Sequence, residues 1–140
     1  MADFLQIVKE RVVVYDGAMG TNIQKRNPTL DDYWGKENCS EVLVLSRPDI
    51  IRDIHADFFR VGCDIVETNT FGGSGIVLGE FDLRDRVHEI NLKAAQLAKE
   101  VAQQFSQAAA LFIRSIADRA IRLAIPRART WKIRPSCLLC

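Results

Sequence analysis

The sequence predicts an α/β fold, and two observations carry that prediction. Two short apolar runs, Val12-Val13-Val14-Tyr15 and Cys63-Asp64-Ile65-Val66-Glu67, each lead into a loop of glycines and short polar residues. Each of those loops is followed by apolar residues recurring at helical spacing. Strand, loop, helix, strand, loop, helix is the order of βα units, whose parallel strands need helical crossovers.

Taken in order, residues 3–9 are expected to form a short helix ahead of the first strand. The β-branched run Val12–Tyr15 reads as a strand buried on both faces, ending in a turn at Asp16-Gly17. From Gly17 to Ser40 the chain is rich in Gly, Asn, Asp and Pro without a sustained period, so a long loop with room for a helical turn is expected. Loops of that length inside a compact domain are often functional. Ser46, with Pro48 in the first turn and Asp49 three residues on, reads as a capping-box helix start. Ile51, Ile54, Phe58 and Val61 then make one apolar stripe, and Gly62 ends the helix.

Cys63–Glu67 is the second strand, followed by Thr68-Asn69-Thr70 and the pair Gly72-Gly73. A long helix is expected over about residues 84–105, with Val87, Ile90, Ala94, Leu97, Val101 and Phe105 on one face and Glu89 paired with Lys93 on the other. A third strand is expected at Ala110 to Ile113. The first two strands should be parallel neighbours joined by the helix from Pro48 to Val61. Their loops then open at one edge, where the chemistry of parallel α/β folds gathers.

Composition excludes several classes of function. The net charge of +1 points to no particular partner. No stretch approaches the roughly 20 uncharged apolar residues that cross a bilayer, and Met1 to Arg11 lacks the pattern of a secretory signal. A cytoplasmic protein with no membrane partner is expected. Four scattered cysteines, Cys39, Cys63, Cys137 and Cys140, read as reduced thiols and not as a disulfide framework. Beyond Ser106 the arginines Arg114, Arg119, Arg122, Arg127, Arg129 and Arg134 alternate with apolar residues and lack an aromatic platform, so no nucleic-acid partner is expected.

Two motifs can carry chemistry. In Asp16-Gly17-Ala18-Met19-Gly20-Thr21 a carboxylate can hold an ammonium group, while the glycines let backbone N–H groups approach an anion. That combination suits an amino-acid zwitterion, although Asp-Gly is also a common turn. Glu67-Thr68-Asn69-Thr70-Phe71-Gly72-Gly73 offers hydrogen-bonding groups and an aromatic wall, although Asn and Thr are also common turn formers. His55 and His88 read as helix-surface residues. A structural zinc site usually needs two cysteine pairs, or one pair with two histidines, and only Cys137-x-x-Cys140 is present as a pair, so no metal ligands are assigned.

Together, Asp16 to Thr21, Val44 to Ile51, Gly62 to Gly73 and Glu89 to Ala95 closely resemble the start of the N-terminal homocysteine-binding module of cobalamin-dependent methionine synthases, in the homocysteine S-methyltransferase family. The resemblance covers roughly Phe4 to Phe105. It implies a TIM-type (β/α)8 barrel, of which this chain carries the first two to three βα units. It also implies homocysteine as substrate, with Asp16 against its ammonium group, Gly17 as a close backbone contact, and Thr68, Asn69 and Thr70 lining the same pocket. In the full-length family zinc held by cysteine thiolates activates the substrate sulfur, and methylcobalamin, loaded from a folate, gives the methyl group through separate cobalamin- and folate-binding modules.

The departures from the family carry equal weight. A complete barrel takes about 250 residues, and the family's zinc cysteines lie on late strands. Where a Gly-rich, Pro-containing loop should follow the third strand, this chain has Leu111-Phe112-Ile113-Arg114 and then the arginines. Residues 1–112 are therefore expected to be the first part of the barrel domain, and 113–140 a divergent tail from a frameshift or misassigned reading frame. No catalytic residue is assigned, and neither zinc nor methylcobalamin is expected to bind this chain alone, so the fragment should be inactive. The alternatives are a non-enzymatic gene remnant and a cobalamin-independent relative using betaine or S-methylmethionine.

Overall fold

The computed structural model describes residues 4–105 and 111–113. Its helices are α1 (Phe4–Glu10), α2 (Met19–Lys25), α3 (Leu43–Ser46), α4 (Pro48–Val61), α5 (Gly75–Glu80) and α6 (Val87–Phe105). Short 3-10 turns at Ser40–Val42 and Arg84–Arg86 lead into α3 and α6. The strands are β1 (Ile65–Glu67) and β2 (Leu111–Ile113), parallel, with Ile65 opposite Leu111. Tyr15 adds a parallel bridge to Ile65, so the first two strand segments are parallel neighbours, as the βα order predicts.

Sequence chemistry sets the boundaries of α4. Pro48 occupies the first turn, where its missing N–H costs nothing. Gly62 ends the helix in the left-handed region at φ 102, with Gly62 N–H donating to Phe59 O and Cys63 N–H to Phe58 O. Ile51 and Ile54 on α4 meet Ile90, Ala94 and Leu97 on α6 in one buried cluster. Ala56, Phe59, Val66, Ala98 and Val101 form a second, closed by Phe59 against Phe105 at 5.5 Å between ring centroids. No helix among the described residues is long and apolar enough to cross a membrane.

Several expectations need correction. Val12–Tyr15 is not a strand buried on both faces. Val12, Val14 and Tyr15 are exposed, because this segment is bonded to β1 on one side and has no described strand on the other. It is held by Asp64, whose carboxylate receives Arg11 at 2.7 Å and Val14 N–H at 3.0 Å. Ser46 does not cap α4. It closes α3, its hydroxyl donating to Val42 O at 3.3 Å, and the pre-proline residue Arg47 takes the N-cap position with a non-helical backbone at φ −135 and ψ 61.

Val61, on the last turn of α4, stands exposed, so the apolar stripe ends before it. Glu89 pairs with Arg86 at 2.8 Å instead of Lys93, because the turn ahead of α6 brings that arginine onto the same face. His55 is wholly buried, not on the helix surface, while His88 is exposed. Cys63 precedes β1 and is not part of it.

The long loop after Gly17 contains a full helix, α2, anchored by buried Ile23. Helix α5 was not anticipated because Gly75 and Gly79 punctuate it; Ser74 caps it, accepting from Val77 N–H at 3.3 Å. Ala110 and the Arg-rich tail beyond Ile113, with Cys137 and Cys140, lie outside the described residues.

Candidate functional site

Asp16 follows the bridge residue Tyr15, and Thr68 follows β1, so parallel pairing brings both loops to the same end of the strands. Between them lies a cavity of about 520 Å³. Asp16 to Gly20 line it from the first loop, and Glu67, Thr68, Asn69, Phe71 and Gly72 from the second. Asn38, Ser40 and Glu41 close one part of the wall, and Val77, Glu80 and Phe81 another.

Four carboxylates, those of Asp16, Glu41, Glu67 and Glu80, are among the lining groups, and no Lys, Arg or His is. The cavity therefore favours a cationic group over an anionic one. Asp16 is fixed at both its main chain and its side chain. Its N–H donates to Ile65 O at 3.0 Å, and its Oδ1 accepts from Glu67 N–H at 3.0 Å. Burial pushes its pKa up to about 6, with the nearby Glu67 charge adding to the rise and the Glu67 N–H bond opposing it. An ammonium group in the cavity would reverse that rise by favouring the charged carboxylate.

A Cβ on Gly17 would meet nothing within 4 Å, so the glycine leaves open space beside Asp16. The unusual backbone is that of the next residue, Ala18, which is left-handed at φ 52 and ψ 37 ahead of α2.

The second loop is more closely held. Thr68 and Thr70 hydroxyls share a hydrogen bond of 2.7 Å, and Gly73 N–H donates to Thr70 O at 3.0 Å. Asn69 Nδ2 donates to Ser40 O at 2.7 Å. Thr68 and Asn69 reach the cavity, whereas Thr70 is wholly buried behind its wall and does not line it. Phe71 is 93% exposed and stands at the rim.

Sequence reasoning missed Glu41 and Asn91. The Glu41 carboxylate accepts from Gly72 N–H at 2.7 Å, and Asn91 Nδ2 donates to Gly73 O at 2.7 Å. Asn91 could have been found as a polar residue set among the apolar positions Val87, Ile90 and Ala94. Glu41, beside the apolar run Val42-Leu43-Val44, carries no such periodic signal.

Cys39 is buried in the core and Cys63 directs its thiol to Tyr15 O at 3.5 Å; neither lines the cavity. No three His, Cys, Asp or Glu side chains among the described residues are grouped to hold a metal ion.

A family model described as homocysteine S-methyltransferase matches residues 13–130. The methionine synthase of Mycobacterium tuberculosis is 44% identical over 102 residues, covering 73% of this chain and 9% of that protein. The methionine synthase of Mycobacterium leprae is 41% identical over 104 residues, covering 74% and 9% respectively. This chain thus spans less than a tenth of the length of these relatives.

Among solved structures, the metallated form of the Escherichia coli homocysteine methyltransferase MmuM superposes with a TM-score of 0.65 at 20% identity, over 80% of this chain and 40% of that one. Its oxidised form gives a TM-score of 0.59 at 21% identity, over 71% and 34%. The structures speak to the fold alone. Together, the family match across most of the chain and the identity to the two synthases establish that the chain belongs to the homocysteine S-methyltransferase family.

Proposed function

We propose that this chain carries the homocysteine-binding part of a methionine synthase type S-methyltransferase, and that its described residues are the first two to three βα units of a (β/α)8 barrel. The observation that carries the reading is the cavity in which Asp16 and the neutral groups of Thr68 and Asn69 line one space without a competing cation. Asp16 holds the substrate ammonium group and takes up its charge. Gly17 gives the zwitterion room against the backbone, and Thr68 and Asn69 supply hydrogen bonds from the facing loop. Thr70 acts from behind, through the Thr68 hydroxyl.

In the full-length family the accepting sulfur is a zinc-held thiolate and the methyl group comes from methylcobalamin, delivered by cobalamin- and folate-binding modules. The described residues do not fit such a zinc site, since neither of their cysteines lines the cavity and no third ligand accompanies them. The described residues bind and orient homocysteine, and none of them supplies a metal-held thiolate; a free thiol is only a few per cent ionised at neutral pH. In this reading residues 1–112 are the binding module, 113–140 a divergent tail, and the setting is cytoplasmic.

Calorimetric titration of the 140-residue chain with L-homocysteine tests the binding, and a methionine-formation assay with methylcobalamin, then with betaine, tests the inactivity. Binding that weakens at least about tenfold in Asp16→Asn, without turnover, is expected. Absence of binding overturns the substrate assignment, and turnover overturns the assignment of a binding role alone.

A further inference from the structure

We propose that Glu41 and Asn91 are positioning residues for this pocket, a two-sided clamp that presets the Thr68–Gly73 loop before a ligand arrives. Only the ligand readout below rests on the homocysteine reading. The clamp grips adjacent glycines by opposite backbone groups. Glu41 Oε1 accepts from Gly72 N–H at 2.7 Å, and Asn91 Nδ2 donates to Gly73 O at 2.7 Å. The two side chains come from different elements, the turn Ser40–Val42 and helix α6.

Each jaw is fixed before it grips. Glu41 lies between Cys39 and Val42, both wholly buried, is itself 6% exposed, and its second oxygen, Oε2, accepts from Ser40 Oγ at 3.3 Å. Asn91 is 3% exposed, and its Nδ2 also donates to Val87 O at 2.8 Å, one helical turn back. The same turn as Glu41 holds the loop again, through Ser40 O and Asn69 Nδ2.

The glycine pair is what admits the clamp. A Cβ at Gly72 would stand 2.9 Å from Glu41 Oε1, and one at Gly73 would stand 3.0 Å from Asn91 Oδ1. Two consecutive glycines would otherwise leave this loop the least ordered part of the wall. Neither Asn91 nor its helix lines the cavity, so its effect on a ligand passes through the loop.

The test uses the 140-residue chain with Glu41→Gln, Glu41→Ala, Asn91→Asp and the unaltered sequence. Gln keeps an acceptor oxygen of equal reach, whereas Asp at 91 keeps the shape and removes the donor. Backbone hydrogen exchange at Gly72 should speed up at least about tenfold in Glu41→Ala and stay unchanged in Glu41→Gln, while amides of Ile54 and Leu97 keep their protection. The dissociation constant for L-homocysteine should rise about tenfold in Asn91→Asp, at a residue that does not line the cavity.

If Glu41→Ala does not fold, Gly72 exchange in Glu41→Gln and homocysteine affinity in Asn91→Asp decide the matter. Unchanged Gly72 exchange in Glu41→Ala, or unaltered affinity in Asn91→Asp, overturns the clamp. Fast Gly72 exchange in Glu41→Gln also overturns it, because an acceptor oxygen at that position would then not be what holds the loop. Expected exchange behaviour with no homocysteine binding by any variant supports the clamp and removes the substrate assignment instead.

Discussion

Val12, Val14 and Tyr15 are 83, 49 and 44% exposed, whereas Ile65 and Val66 on the neighbouring strand are wholly buried. The two strand-and-loop units meet across one cavity but are held by different means. The first relies on one parallel bridge, the carboxylate of Asp64 and the tether from Asp16 to Glu67 N–H. The second continues from a buried strand into a loop gripped by Ser40, Glu41 and Asn91. The pocket therefore has one closely held wall and one more adaptable wall, with the half-buried carboxyl group of Asp16 on the adaptable side.

Core truncation should separate the two units most sharply. Ile65→Ala removes a wholly buried side chain and is expected to cost about 3 kcal/mol of folding stability. Val12→Ala, on an exposed side chain, should cost about 0.5 kcal/mol or less. Denaturant unfolding of both variants measures the difference, and equal losses would dissolve the distinction between the units.

Helix α4, which joins the two units, carries one buried polar side chain that has no hydrogen-bond partner among the described residues. Both ring nitrogens of His55 lack a hydrogen-bond partner among the described residues, and burial lowers its pKa to about 4. A folded-state value below the ordinary 6.5 means that the neutral ring contributes stability above about pH 6.5, lost as pH falls towards 4. His55→Leu should stabilise the fold by about 1–2 kcal/mol at neutral pH and reduce its acid sensitivity over that window. A destabilised Leu variant would mean that the imidazole has a role in the core that its contacts do not reveal.

The first unit has the opposite pH response. Asp16, with its pKa raised to about 6, favours the protonated form in the ligand-free fold, so its contribution is full below about 4 and lost as pH rises through 6. An ammonium ligand needs the ionised form. Homocysteine affinity should therefore fall about tenfold from pH 7 to pH 5, and this component should vanish in Asp16→Asn. A flat profile in the unaltered chain would remove Asp16 from the binding role.

What was legible in the sequence follows the same division. The stripe Ile51, Ile54 and the residues Ile90, Ala94 and Leu97 announced α4 and α6, since helical period and burial coincide there. The meeting of Asp16 with Thr68 and Asn69 followed from βα order, because parallel strands place their loops at one end. Burial of Val12–Tyr15 was misjudged: apolar content signals a strand but not how many neighbours it has. Glu41 escaped notice because its partner, the Gly72 N–H, is thirty-one residues away in sequence, and no local pattern encodes such a bond. His55 was misplaced because its polar type was weighed above its position, one turn from Ile51 on the flank of the stripe, and α4 is buried more widely than one stripe.

The smallest expected effect lies in the adaptable wall itself. Ala18 holds a left-handed backbone at φ 52 and has no side-chain cap to stabilise it. That conformation costs an L-residue roughly 1–2 kcal/mol, which glycine escapes, while glycine's greater freedom in the unfolded chain returns about 0.4–1 kcal/mol of the gain. Ala18→Gly should therefore raise folding stability by about 0.5 kcal/mol. The same freedom should loosen the backbone next to Asp16 and Gly17, so that L-homocysteine binds about two- to threefold more weakly because more of the loop must be ordered on binding. Stability and affinity would move in opposite directions, as expected for backbone strain kept at a binding loop. Paired thermal unfolding and calorimetric titration measure both, and a loss of stability on introducing glycine would show that Ala18 is not strained, leaving the first wall as preset as the second.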